Sequence, residues 1–192
     1  MMEKNRMRLF VGLEPSPAFR KALAELQGRL RAAGVGGRYL EIGNLHMTLA
    51  FIGMWTEDAA ALLPTVGEPF PITLSCLGVF PKAKVLWAGV DPSEALNALA
   101  EQARRSLAEA DVPFDPQPFN PHITLARKPV IPDGLNLSQI ETPRAAMLVN
   151  DVCLYRSEPG ENGARYSVIA RGPRPSSAER KENERLRMKM IL

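Results

Sequence analysis

Cysteine and histidine are both scarce in this chain of 192 residues, which has two of each. Cys76 and Cys153 stand alone within apolar runs, so buried free thiols are expected, and a disulfide framework or a cysteine zinc site is short of ligands. No apolar run reaches the roughly eighteen residues that a membrane helix needs. The opening MMEKNRMRLFVGL lacks the long apolar stretch of a secretory signal, so a cytoplasmic protein with no membrane partner is expected. Carboxylate clusters and glycine-rich phosphate loops are missing too, which leaves metal-dependent and P-loop mechanisms without support; no metal and no cofactor are expected. What the chain does have is apolar mass, 45% of its residues, enough for a substantial core and too much for a disordered or fibrous protein.

The net charge of +3 is a weak hint of an anionic partner, and it is unevenly spread. After Pro173, six basic residues (Arg174, Arg180, Lys181, Arg185, Arg187, Lys189) face three acids, so the tail carries +3 and residues 1–173 sum to zero. The chain therefore divides into one domain over 1–173 and a basic tail over 174–192. Ser176 with Glu179 three residues on fits a capping box, so the tail is expected to form a helix, frayed or packed on a partner.

Within the body, RLFVGLE (8–14) alternates like a strand. Ser16-Pro17 then reads as an N-cap with proline at the first helical position. Phe19, Leu23, Leu26 and Leu30 make one apolar face, and Gly34 is placed to end the helix. The segment RYLEI predicts a strand, and LHMTLAFIG a second one. The order then repeats. ITLSCLGVF and KVLWAGV read as strands, and Asp91-Pro92-Ser93 starts a helix with Leu96, Leu99, Ala103 and Leu107 on one face, ending near Asp111. A proline-rich connection, PFDPQPFNP, leads into HITLAR. Two pseudo-symmetric lobes are implied, each with a strand that begins at a histidine. AMLVNDVCLYR and ARYSVIAR, flanking SEPGENG, read as a closing hairpin.

The repeated element is His46-Met47-Thr48-Leu49-Ala50 and His122-Ile123-Thr124-Leu125-Ala126, 76 residues apart. On a strand, i and i+2 face the same way, so each copy presents an imidazole and a hydroxyl together, beside an alanine that leaves room for a ligand. Threonine fills six of 192 positions. The chance that both histidines have one at +2 is therefore on the order of one in a thousand, which favours function over coincidence. Two facing imidazoles suit general acid/base catalysis near neutral pH. A phosphodiester with a strained or activated leaving group is the natural substrate, with the hydroxyls donating to its phosphoryl oxygens.

These motifs resemble those of the two-histidine (2H) phosphoesterases. RLFVGLE, NLHMTLAFIG, GVFPKAKVLWAGV, PFNPHITLAR and GARYSVIAR narrow the likeness, over about residues 8–172, to the RNA 2',3'-cyclic phosphodiesterases once called 2'-5' RNA ligases. The resemblance implies a bilobed, pseudo-two-fold α+β fold: two antiparallel β-sheets form a V-shaped cleft with helices on the outside. It implies hydrolysis of a terminal 2',3'-cyclic phosphate to a 2'-phosphate without metal, on RNA ends or nucleotides, by a monomer. His46 would protonate the departing 3' oxygen and His122 would activate water, although a pseudo-symmetric site admits the reverse assignment. Thr48 and Thr124 would hold the phosphate. The position five residues after each histidine would give Phe51 as a base-stacking surface and Arg127 as a phosphate contact. Strand parity points both of these away from the cleft, so a bulge or twist is needed to bring them round. Arg38, Lys82 and Lys84 are candidates for a positive rim, and Trp87 for packing. The same scaffold can act on small nucleotides such as ADP-ribose cyclic phosphate or 2'-5' oligoadenylate, or run 2'-5' ligation in reverse. A nucleotide-binding module without turnover is the non-enzymatic alternative.

Overall fold

A computed structural model describes residues 5–161 and 163–174. Strand β1 spans Met7–Leu13, and helix α1 spans Pro17–Ala32. The Phe19 N–H donates to the Ser16 hydroxyl at 3.2 Å, capping the helix, and Pro17 sits where its missing N–H leaves nothing unpaired. Gly34 follows the helix at φ 84°, the left-handed conformation that terminates it. Phe19, Leu23, Leu26 and Leu30 are fully buried, each burial contributing about 2 kcal/mol.

Strand β2 is shorter than RYLEI suggests: it spans Gly36–Tyr39, and Ile42–Asn44 turn into a 3-10 helix that leads into β3, Met47–Trp55. Strands β4 (Phe70–Phe80) and β5 (Val85–Val90) pair antiparallel. Helix α2, Glu94–Glu109, is capped by Ser93, which accepts from the Leu96 N–H at 3.2 Å. Its face of Leu96, Leu99, Ala103 and Leu107 is buried, together with Ala100. Strand β6 spans His122–Val130.

AMLVNDVCLYR is two strands rather than one. Strand β7 (Ala146–Val149) pairs with β4, and β8 (Cys153–Gly160) pairs with β1, so the chain crosses the molecule at 150–152. Strand β9 (Gly163–Arg171) closes the hairpin with β8. Cys153 is buried, but Cys76 is exposed, contrary to expectation. The cause is a register irregularity between Leu74 and Leu77 that breaks the alternation of β4. The expected capping box and tail helix fall in 175–192, outside the described residues.

The strands run in the order β7-β4-β5-β6-β3-β1-β8-β9, with β2 beside β6. Each half is antiparallel, and the halves meet where β3 pairs with β6 through Met47 and Ile123. The helices cross over: α1 follows β1 but packs against β7 of the other half, and α2 follows β5 but packs against β3. This exchange buries both helix faces in one core.

Each histidine-bearing segment also carries an extra residue. Val11 pairs with Ala50 and Gly12 with Thr48, so Leu49 is unmatched in β3, and a second shift further along leaves Ile52 unmatched between Phe51 and Gly53. Leu86 pairs with Ala126 and Trp87 with Thr124, so Leu125 is the unmatched residue of β6. Leu49 and Leu125 each lie three residues after a histidine. Beside the junction, β1 runs so close to β3 that a Cβ on Gly12 would lie 2.5 Å from the Met47 carbonyl oxygen. Gly12→Ala is therefore expected to lose about 2 kcal/mol or more in urea unfolding. Gly28→Ala on α1, where a Cβ meets nothing within 4 Å, is expected to gain about 0.5–1 kcal/mol as the control.

Candidate active site

Met47 and Ile123 are both 1% exposed and point into the core. Their neighbours along each strand therefore project to the opposite face. Carrying the Met47–Ile123 register one residue either way sets His46 alongside Thr124 and Thr48 alongside His122. The four side chains occupy the corners of a rectangle with the imidazoles on one diagonal, roughly 8 Å apart at Cα from ordinary strand spacings. A phosphoryl group between them would meet one imidazole on each side.

Both rings are held in the same way. The Nδ1 of His46 lies 2.8 Å from the Asn44 carbonyl oxygen, and that of His122 lies 2.7 Å from the Asn120 carbonyl oxygen. A carbonyl only accepts, so each Nδ1 carries the proton and each Nε2 is left for chemistry. His46 is packed among Phe10 (ring centroids 4.5 Å), Tyr166 (4.7 Å) and Tyr155 (5.6 Å). His122 meets Phe80 edge-on at 4.9 Å and Trp87 at 6.3 Å. Burial among these rings lowers the His46 pKa to about 4; the Asn44 hydrogen bond opposes the shift, and the charges of His122 and Arg127 add to it. His122 is lowered as well, by burial against the opposing Asn120 bond.

A cavity of about 590 Å³ brings together His46, Thr48, Phe51, Arg127, Arg38 and Tyr166. His122 and Thr124 are outside its lining and are placed by the strand register. Phe51 and Arg127 reach this face because of the bulges. Leu49 and Ala50 are both buried in the core, as are Leu125 and Ala126, so alternation resumes with the fifth residue after each histidine turned to the cleft. The same bulges overturn the expectation for the alanines: Ala50 is 1% exposed and Ala126 fully buried, so neither leaves room for a ligand. The Arg8 guanidinium lies 5.0 Å from the Phe51 ring centroid. Lys82 and Lys84 are exposed outside this lining. Trp87 packs over Gly78, where a Cβ would lie 2.1 Å from its ring.

A sequence model of the 2'-5' RNA ligase superfamily matches residues 15–161. The chain belongs to the 2'-5' RNA ligase superfamily. Relatives named RNA 2',3'-cyclic phosphodiesterase include one from Thermotoga maritima, 29% identical over 175 residues, covering 85% of this chain and 93% of the relative. Another, from Thermus thermophilus, is 32% identical over 182 residues, covering 85% and 88%. In fold the chain is similar to Escherichia coli LigT in its apo form, with a TM-score of 0.72 at 24% identity over 90% of this chain and 100% of that one.

In this member of the superfamily, several residues around the histidines escaped the sequence reading. Phe10, Tyr155 and Tyr166 come from β1, β8 and β9, and nothing local ties them to His46. Asn44 had a visible signal, since an asparagine precedes each histidine by two residues. Its side chain also bridges to β9, donating to the Ala164 carbonyl at 3.0 Å and accepting from the Tyr166 N–H at 3.1 Å. Among the described residues, no three His, Cys, Asp or Glu side chains gather as a metal site, and no helix is long and apolar enough to cross a membrane.

The low His46 pKa has a consequence for stability. The unfolded chain, with a histidine pKa near 6.5, binds the proton more readily than the folded protein, whose His46 sits near 4. The stabilisation is fully present above pH 6.5 and is lost as pH falls towards 4, by on the order of 3 kcal/mol. Denaturant titrations across this range are expected to show His46→Gln losing less stability than the parent by about that amount.

Proposed function

We propose that the protein hydrolyses terminal 2',3'-cyclic phosphodiesters of RNA to 2'-phosphomonoesters, by metal-independent general acid/base catalysis with His46 and His122. The observation that carries this reading is the diagonal pair of imidazoles with their Nδ1 atoms pinned. The names of the relatives support the same reaction. His122 Nε2 takes a proton from water as the water oxygen attacks phosphorus. The bond from phosphorus to O3' breaks, and O3' takes the proton held on His46 Nε2. The products are a 2'-phosphate and a 3'-hydroxyl, and the two histidines exchange protonation states with solvent before the next turnover. Thr48, Thr124 and Arg127 donate to the phosphoryl oxygens, where charge builds up, and Phe51 stacks on the terminal base.

The acid role requires a proton on His46, which burial and the charges of His122 and Arg127 disfavour. The negative charge of the bound phosphodiester offsets the burial and the charges of His122 and Arg127, so substrate brings its own acid into the charged state. Beyond the histidine cavity lies a space of about 1030 Å³ lined by Arg38, Arg127, Arg165, Tyr39 and Tyr166. Its size and its three guanidinium groups favour an RNA end over a mononucleotide, and 2'-5' ligation would use the same four motif residues. A cytoplasmic monomer is the accompanying reading, which light scattering would check.

His46→Ala and His122→Ala are each expected to lower kcat by about 10²- to 10⁴-fold on an oligonucleotide ending in a 2',3'-cyclic phosphate. Turnover is expected to persist in EDTA and to yield a 2'-phosphate. A 3'-phosphate product would reverse the substrate's orientation, and an unreacted substrate would remove the reading altogether. Calorimetry of 2'-AMP binding at pH 6 in buffers of different ionisation enthalpy is expected to report net proton uptake by the protein, reduced in His46→Gln.

A further inference from the structure

The bulges that turn Phe51 and Arg127 to the cleft are each met by a side chain from a helix. Gln27 of α1 is 1% exposed, and its Nε2 donates to the Leu125 carbonyl at 3.1 Å and to the Leu40 carbonyl at 3.0 Å. Arg104 of α2 donates through Nε to the Leu49 carbonyl at 3.1 Å and through Nη1 to the Gln117 carbonyl at 2.7 Å. Leu125 and Leu49 are the extra residues that lie three positions after the two histidines. Leu40 lies in the segment that leads into the first motif, and Gln117 in the segment that leads into the second. Gln27 and Arg104 also hold the same position, the eleventh, in two helices of 16 residues.

We propose that Gln27 and Arg104 are a pseudo-symmetric pair of positioning residues: each holds the extra residue of one motif, Gln27 keeping Arg127 and Arg104 keeping Phe51 on the histidine face. The physical reason lies in what a bulge leaves behind. An inserted residue takes its carbonyl out of the regular ladder, and a buried carbonyl needs partners. The Leu40 N–H supplies one to Leu125 at 2.9 Å, and Gln27 supplies the other. A strand that returned to strict alternation would turn the fifth residue after its histidine away from the cleft. Each clip also joins the two motifs, because its second bond goes to the segment entering the other one. This role rests on the reading of His46 and His122 as the catalytic pair.

The test is a double-mutant cycle with a second readout that does not depend on turnover. Gln27→Met keeps the length of the side chain and removes the donor. It is expected to lower kcat/KM on the cyclic-phosphate oligonucleotide about tenfold in the parent and by less than about twofold in Arg127→Ala. Arg127 is one of the charges that hold the His46 pKa down, so NMR titration of His46 is expected to move upward in Gln27→Met as it does in Arg127→Ala. Equal losses in both backgrounds, or a His46 titration matching the parent, would overturn the proposal. A parent protein that leaves the cyclic phosphate intact would defeat the catalytic reading, and the titration alone would then judge the positioning role. Arg104 reaches the surface, so Arg104→Met supplies a second cycle, against Phe51→Ala, should Gln27→Met not fold. Arg104→Gln, which restores an amide donor like that of Gln27, is expected to recover most of the loss; no recovery counts against the proposal.

Discussion

The backbone pairing of Met47 with Ile123 is the constraint on which the rest of the site depends. Both side chains are sealed into the core, so the residues on either side of each have only the opposite face to occupy. From that follow the shared face of two histidines and two threonines, the diagonal placement of the imidazoles, and the near two-fold relation between the lobes. Everything nearby serves to hold the junction. Gly12 lets β1 approach β3 closely, the crossed helices cover the core side, and the bulges three residues after each histidine return Phe51 and Arg127 to the face from which plain alternation would exclude them.

The electrostatics of the site come from the same packing. Aromatic rings from three strands surround His46, and desolvation keeps it neutral well below the usual histidine range. The Asn44 and Asn120 carbonyls fix the ring orientations through Nδ1, leaving both Nε2 atoms outside those bonds. Burial lowers the pKa of His122 as well, against its bond to Asn120.

Much of this was legible from local pattern. The Ser16-Pro17 and Ser93 caps, the apolar faces of both helices and the paired His-x-Thr motifs rest on residues within a few positions of one another, where hydrogen-bond reach and strand or helix period decide the outcome. The break at 150–152 had a local mark in Asn150-Asp151, a pair of turn residues, but that the strands on its two sides pair with β4 and with β1 is decided only by their partners. Cys76 was misplaced for a related reason: an irregular register leaves no mark in composition.

The candidate histidine pair, the hydroxyl beside each imidazole and the family follow from the order of residues alone, since the period of a strand is a property of the backbone and needs no partner. Which face Ala50, Phe51, Ala126 and Arg127 occupy does not follow. A β-bulge is a mismatch between two strands, and it exists only once β1 and β5 have paired with the strands that carry the motifs. The clips from Gln27 and Arg104 belong to the same class, because they join residues about a hundred and about fifty positions apart, distances that only the folded chain closes.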